Sequence, residues 1–190
     1  MNTSASQHTD TLRAPRCERQ RRRARRGRRT GRLVAGPRPH LPRHRAVIAV
    51  DTNVLAQAHR QDAPFQSAAK ATLEELAAGP APWAIPWPCV HEFLAIVTHP
   101  RIFRTPSPPT AACDQVDAWL EVPTIRLLSE DRDAHWPSLK PLLTTGRITG
   151  PRVHDARVAA LCIAHGVSVF LSVDRDFSQF PALDVRNPMV

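Results

Sequence analysis

The sequence predicts an α/β fold, a three-layer α/β/α sandwich around a central parallel sheet, and three observations carry that prediction. The run Ala46-Val47-Ile48-Ala49-Val50 is wholly apolar, with three β-branched residues, and stops at Asp51. That composition suits a strand buried on both faces. The pattern recurs near the far end, where Val167-Ser168-Val169-Phe170-Leu171 leads into Ser172-Val173-Asp174. Between them, strand-like and helix-like stretches alternate, as parallel strands joined by crossovers require. A carboxylate at a strand's C-terminal end lies where open α/β sheets form their ligand crevice. If the two strands are parallel neighbours, Asp51 and Asp174 face one crevice. Two like charges held there are unfavourable unless a proton or a metal relieves them.

The elements follow in order. After the first strand, Asp62-Ala63-Pro64-Phe65 is a helix-start signal, with Asp62 as the cap and proline in the first turn. The helix runs through residues 68–76 and stops at Gly79-Pro80. Trp83-Ala84-Ile85 is a short strand, and Pro86-Trp87-Pro88 restarts the chain as a helix over residues 89–98. A further helix over residues 109–120 follows Ser107-Pro108, and residues 124–128 form a strand. Residues 133–145 read as helix despite Pro137 and Pro141, which disfavour a helix interior. Residues 146–151 form a loop. A last helix over residues 153–165 closes at Gly166 before the 167–171 strand. There is no internal repeat.

Charge divides the chain. The formal balance is +9, yet residues 1–45 hold fourteen arginines against Asp10 and Glu18, and residues 46–190 carry a net −3. The positive charge therefore belongs to the first segment, and the domain over residues 46–190 is mildly acidic. Residues 1–45 are rich in Arg and Pro and poor in aliphatic side chains, so they are expected to be disordered. Three readings stand for them: an arginine-rich arm for nucleic acid, an organellar presequence, or a misassigned start with translation beginning near Val47. Cys17, Cys89, Cys113 and Cys162 form no CxxC pair and read as buried thiols in a reducing compartment. No apolar run approaches the roughly 20 residues of a membrane span, and no secretory signal is visible. A cytoplasmic protein is expected. Trp83, Trp87, Phe93 and Phe103 read as core, with docking of a partner helix as the alternative. Arg101, Arg104 and Arg152 read as exposed, with RNA phosphate contact as the alternative.

Four acids stand out by context. Asp51 and Asp174 end strands. Asp155 lies in the first turn of an otherwise small and apolar helix, where the helix dipole alone would favour it. Glu92 is flanked by apolar residues in His91-Glu92-Phe93-Leu94-Ala95, where a solvated acid is unusual. Each has an ordinary explanation by itself, but four in one small α/β domain point to shared chemistry. Oxygen ligands suit Mg²⁺ or Mn²⁺. The chemistry that uses such a set is two-metal phosphodiester hydrolysis, with a metal-activated water as nucleophile and the leaving oxygen stabilised. Competing motifs fail on spacing. The HExxH of zinc proteases would need His where Ala95 stands, and an Asp-x-Asp phosphatase would need Asp where Asn53 stands. No GxxxxGK[ST], GxGxxG or GxSxG is present.

The order of these motifs resembles the PIN-domain ribonucleases, and especially the VapC toxins of type II toxin–antitoxin pairs. The resemblance covers residues 46–190. It rests on Asp51-Thr52-Asn53-Val54-Leu55, Glu92 in a helix, Asp155 opening the late Ala-rich helix, and Ser172-Val173-Asp174-Arg175-Asp176-Phe177. It implies a PIN-like α/β/α sandwich and an acidic metal site of Asp51, Glu92, Asp155 and Asp174, with Asp51 and Asp155 the principal ligands. Asn53 and Ser172 would be orienting supports. Asp176 would be a further acid or, on the reading preferred from sequence, a turn residue. The resemblance also implies RNA cleavage with Mg²⁺ or Mn²⁺, a homodimer, and silencing by a cognate antitoxin. Two alternatives remain: a non-catalytic nucleic-acid-binding protein using the basic arm, and a PIN-like DNA nuclease.

Overall fold

The structure is a computed structural model that describes residues 47–190, so the expected disorder of residues 1–45 lies outside the described residues. Its sheet holds β1 (Val47–Val50), β2 (Trp83–Pro86), β3 (Ile125–Leu128), β4 (Val167–Leu171) and β5 (Val185–Arg186). The strands are parallel and ordered β3-β2-β1-β4-β5. The helices are α1 (Thr52–His59), α2 (Gln66–Ala78), α3 (Trp87–Val97), α4 (Pro109–Leu120), α5 (Arg132–Thr145) and α6 (Arg152–Ala164). From β1 the chain moves outward to β2 and β3, then returns to β4 on the other side of β1. Right-handed crossovers put α1–α4 on one face and α5 and α6 on the other. The packing agrees: α1 lies against α2 and α3, α3 against α4, and α5 against α6. The three-layer α/β/α expectation holds.

The reversal of direction falls between β1 and β4, which is where an open α/β sheet forms its crevice. In register, Val50 lies beside Leu171, and the Asp51 N–H donates to the Leu171 carbonyl at 3.0 Å. The residues that follow the two strands are therefore held side by side. The core on either side is apolar. Ala49, Val50, Ala84, Ile85 and Phe170 are fully buried in the sheet, with Val54, Leu55 and Phe93 above them. Ala156, Ala159 and Ala160 bring α6 close to the sheet because their side chains are small.

Four expectations are corrected by packing. First, a helix starts directly after β1: α1 has no signal in the sequence, because eight residues with no preceding turn give little periodicity. Second, Asp62 does not cap α2, which begins at Gln66 without a side-chain cap. Asp62 instead accepts from Arg60 Nε at 2.8 Å and Nη2 at 2.6 Å. Arg60 is buried, lies 4.1 Å from the Phe103 ring centroid and donates to the Thr105 carbonyl. A buried guanidinium left unpaired costs more than an exposed helix end left uncapped. Third, Cys113 is exposed, while Cys89 and Cys162 are buried. Fourth, Trp83 and Phe93 are core, but Phe103 is half-buried and Trp87 is exposed, at 36%. Among the described residues no helix is long and apolar enough to cross a membrane.

Candidate active site

Asp51 is the first residue after β1, with extended backbone, and it caps α1 by accepting the Thr52 N–H at 2.8 Å. Its carboxylate is almost fully buried and surrounded by donors. Oδ1 takes the Thr52 N–H and, more distantly, the Cys89 thiol at 3.6 Å. Oδ2 accepts from Asn53 Nδ2 and from the Ser172 hydroxyl, both at 2.6 Å. Asn53 spans the switch point: its amide also donates to Ser172 Oγ, and its carbonyl accepts the Val173 N–H at 3.2 Å. Burial pushes the Asp51 carboxyl up to about 6, against the hydrogen bonds from Ser172 and Thr52, and the nearby charge of Glu92 pushes the same way. The neutral Cys89 thiol is a donor here because burial, and then the Asp51 charge, hold it well above its ordinary range.

Glu92 is not enclosed by its apolar neighbours. Val90 and Phe93 take the core side of α3, which leaves Glu92 exposed. There its Oε2 accepts the Thr52 hydroxyl at 2.7 Å, so the residue after Asp51 also fixes the second acid. Thr52 thus has a positioning role that no sequence motif flagged. Asp155 stands in the first turn of α6, half-buried. Burial first, then the charges of Asp174, Asp176 and Glu92, raise its carboxyl above the usual range. Asp174 lies beyond the end of β4 rather than on it. It caps a short 3₁₀ turn, Arg175–Gln179, by accepting the Asp176 N–H at 2.8 Å, while its own N–H is held by Ser172 Oγ. Asp176 therefore occupies the turn, and its carboxylate still faces the other acids.

One cavity of about 710 Å³ collects these groups. Asp51, Asn53, Glu92, Asp155, Asp174 and Asp176 line it, and Ser172 is buried beneath Asp51. His91, Arg152, His154 and Arg157 are also in its wall. Among the described residues no three His, Cys, Asp or Glu side chains are drawn together into a ready-made metal cage. The donor chemistry nevertheless fits a hard divalent cation. The acids supply only oxygen, the neighbouring carboxylates help raise the proton affinity of Asp51 and Asp155, and a cation would relieve that repulsion.

Comparison with known proteins gives the family. The PIN domain family model matches residues 48–183. Ribonuclease VapC48 of Mycobacterium tuberculosis is 31% identical over 138 residues, covering 73% of this chain and 94% of its own. VapC ribonuclease Mb2897 of Mycobacterium bovis is 33% identical over 144 residues, covering 75% and 96%. In fold, the chain is similar to VapBC2 of Rickettsia felis, solved bound to a promoter DNA fragment. The TM-score is 0.53 at 20% identity, over 74% of this chain and 98% of that one. It is also similar to the sarcin–ricin-loop-cleaving toxin VapC20 of M. tuberculosis, with a TM-score of 0.51 at 19% identity, over 69% and 92%. The chain belongs to the PIN-domain family, alongside the VapC ribonucleases.

Proposed function

We propose that this protein is a metal-dependent endoribonuclease, the toxin of a toxin–antitoxin pair, acting in the cytoplasm as a homodimer held silent by its antitoxin. The observation that carries the reading is the convergence of Asp51, Glu92, Asp155 and Asp174 on one cavity at the switch point of the sheet. Asp51 and Asp155 would be the principal ligands of Mg²⁺ or Mn²⁺, with Glu92 and Asp174 completing the set. The bound ion would supply Lewis-acid activation of a water and neutralise charge on the scissile phosphate. The chain's own residues do the positioning. Asn53 and Ser172 hold the Asp51 carboxylate from one side, and Thr52 holds Glu92, so neither acid must be ordered when substrate arrives. Asp174 is fixed by the turn that it caps, and Asp176 adds a further negative charge at the cavity wall.

The test is cleavage of single-stranded RNA and of matched DNA with Mg²⁺ or Mn²⁺, comparing the natural protein with Asp51→Asn. RNA cleavage by the natural protein should fall to background in the variant, and growth arrest on expression should disappear with it. Equal activity of the variant would reject the site, and preference for DNA would reject the substrate.

A further inference from the structure

Two exposed aromatic rings, one of them in the cavity wall, serve neither the core nor the acid set. Trp87 opens α3 between Pro86 and Pro88, whose rings restrict the backbone on both sides of it. One turn later His91 stacks on it, with ring centroids 5.7 Å apart and planes inclined by 29°. His91 is exposed and lines the cavity directly beside Glu92. Arg152 lines the same cavity, exposed and without an ion-pair partner among the described residues. A lone exposed aromatic is ordinary on a protein surface. A pre-stacked pair with one ring in the wall of a phosphodiester site that also holds an arginine has the two parts that a nucleotide needs: a π surface for the base and a charge for the backbone.

We infer that His91, backed by Trp87, is a stacking platform for a nucleobase of single-stranded RNA beside the scissile phosphate, with Arg152 of the same cavity taking a backbone phosphate. This rests on the ribonuclease reading and adds to it a base-stacking contact at named residues. The bases of a duplex are occupied with one another, so the platform selects unpaired RNA. It reads a π face rather than base edges, and so tolerates sequence.

Binding measured in the Asp51→Asn background separates the platform from turnover. Fluorescently labelled oligoadenylate is compared with an oligomer of the same length in abasic ribose phosphate. The base-bearing oligomer should bind about tenfold more tightly. That preference should vanish in His91→Ala and fall in Trp87→Ala, and His91→Phe should restore it. In the cleavage-competent protein the same changes should raise KM for single-stranded RNA and leave kcat close to its original value. Equal binding of the two oligomers would overturn the inference. So would failure of His91→Phe to restore binding, since the ring nitrogen rather than the ring face would then be what matters. Loss of RNA cleavage by the natural protein would instead count against the ribonuclease reading, and the binding preference would still be measurable.

Discussion

Asp51 carries an electrostatic cost that the fold accepts. Its carboxyl titrates near 6 in the folded chain, against an ordinary value of 3.8, so the folded state holds the proton more tightly than the unfolded state. A folded pKa raised in this way gives stability that is fully present below pH ~4 and lost as pH rises through about 6. At 1.36 kcal/mol per unit, the loss is about 3 kcal/mol. Thermal or urea unfolding in EDTA should show that decline between pH 4 and pH 6, and Asp51→Asn should flatten it. A pH slope identical in the two proteins would show that Asp51 is not the group responsible. The position of this residue is legible in the sequence because an apolar strand ending in an acid is a strong contrast. Its support is less legible. Ser172 and Asn53 lie 119 residues apart, and no periodicity says that their side chains share one carboxylate oxygen. Thr52 and Cys89 were still harder to foresee, since a hydroxyl and a thiol beside acids have many ordinary explanations.

At the scale of elements, legibility followed length and punctuation. β1, β2, β4, α3, α4 and α6 fall where their apolar runs and flanking Pro or Gly residues put them. α1 is hidden because Asp51 ends the strand and caps the helix at once, with no turn between them. β5 is two residues long and, among the described residues, pairs only with β4, too short for alternation to register. α5 forms in spite of Pro137 and Pro141, and the reason is exposure. Both prolines face solvent, so water can satisfy the carbonyls that lose an amide partner. The end of α5 is more tightly defined. Gly146 has an ordinary helical φ of −74°, so conformation does not require glycine there. Space does: a Cβ would lie 2.6 Å from the Leu142 carbonyl oxygen and 3.2 Å from Ile148 Cγ1. Ile148 is buried, so it cannot simply swing away. Gly146→Ala should therefore destabilise the domain by about 1–3 kcal/mol through overpacking. Chemical denaturation would measure this, and an unchanged or raised midpoint would mean that the loop after α5 yields freely.

At the scale of the whole molecule, the positive charge and the candidate site sit on different parts of the sequence. The fourteen arginines of residues 1–45 make the protein basic, whereas the four acids all lie within the mildly acidic remainder. The VapC relatives are matched over 94–96% of their own length by only 73–75% of this chain. The PIN domain model, at residues 48–183, likewise covers the part of the chain that holds the acids. If the same division of labour applies here, a protein beginning at Val47 should cleave a short single-stranded RNA with the kcat of the full chain. Affinity should respond differently. Arginines that contact phosphates release counterions, so their removal lowers the slope of log affinity against log salt by about 0.7 for each contact on a single strand. A shallower salt slope at constant kcat would identify the segment as an electrostatic arm that only gathers RNA. An unchanged slope would show that it takes no part in RNA binding. Loss of kcat would contradict the division itself and move part of the catalytic apparatus into residues 1–45. The comparison is best made at two or more salt concentrations, because an arm of this charge dominates affinity at low salt and fades as screening rises.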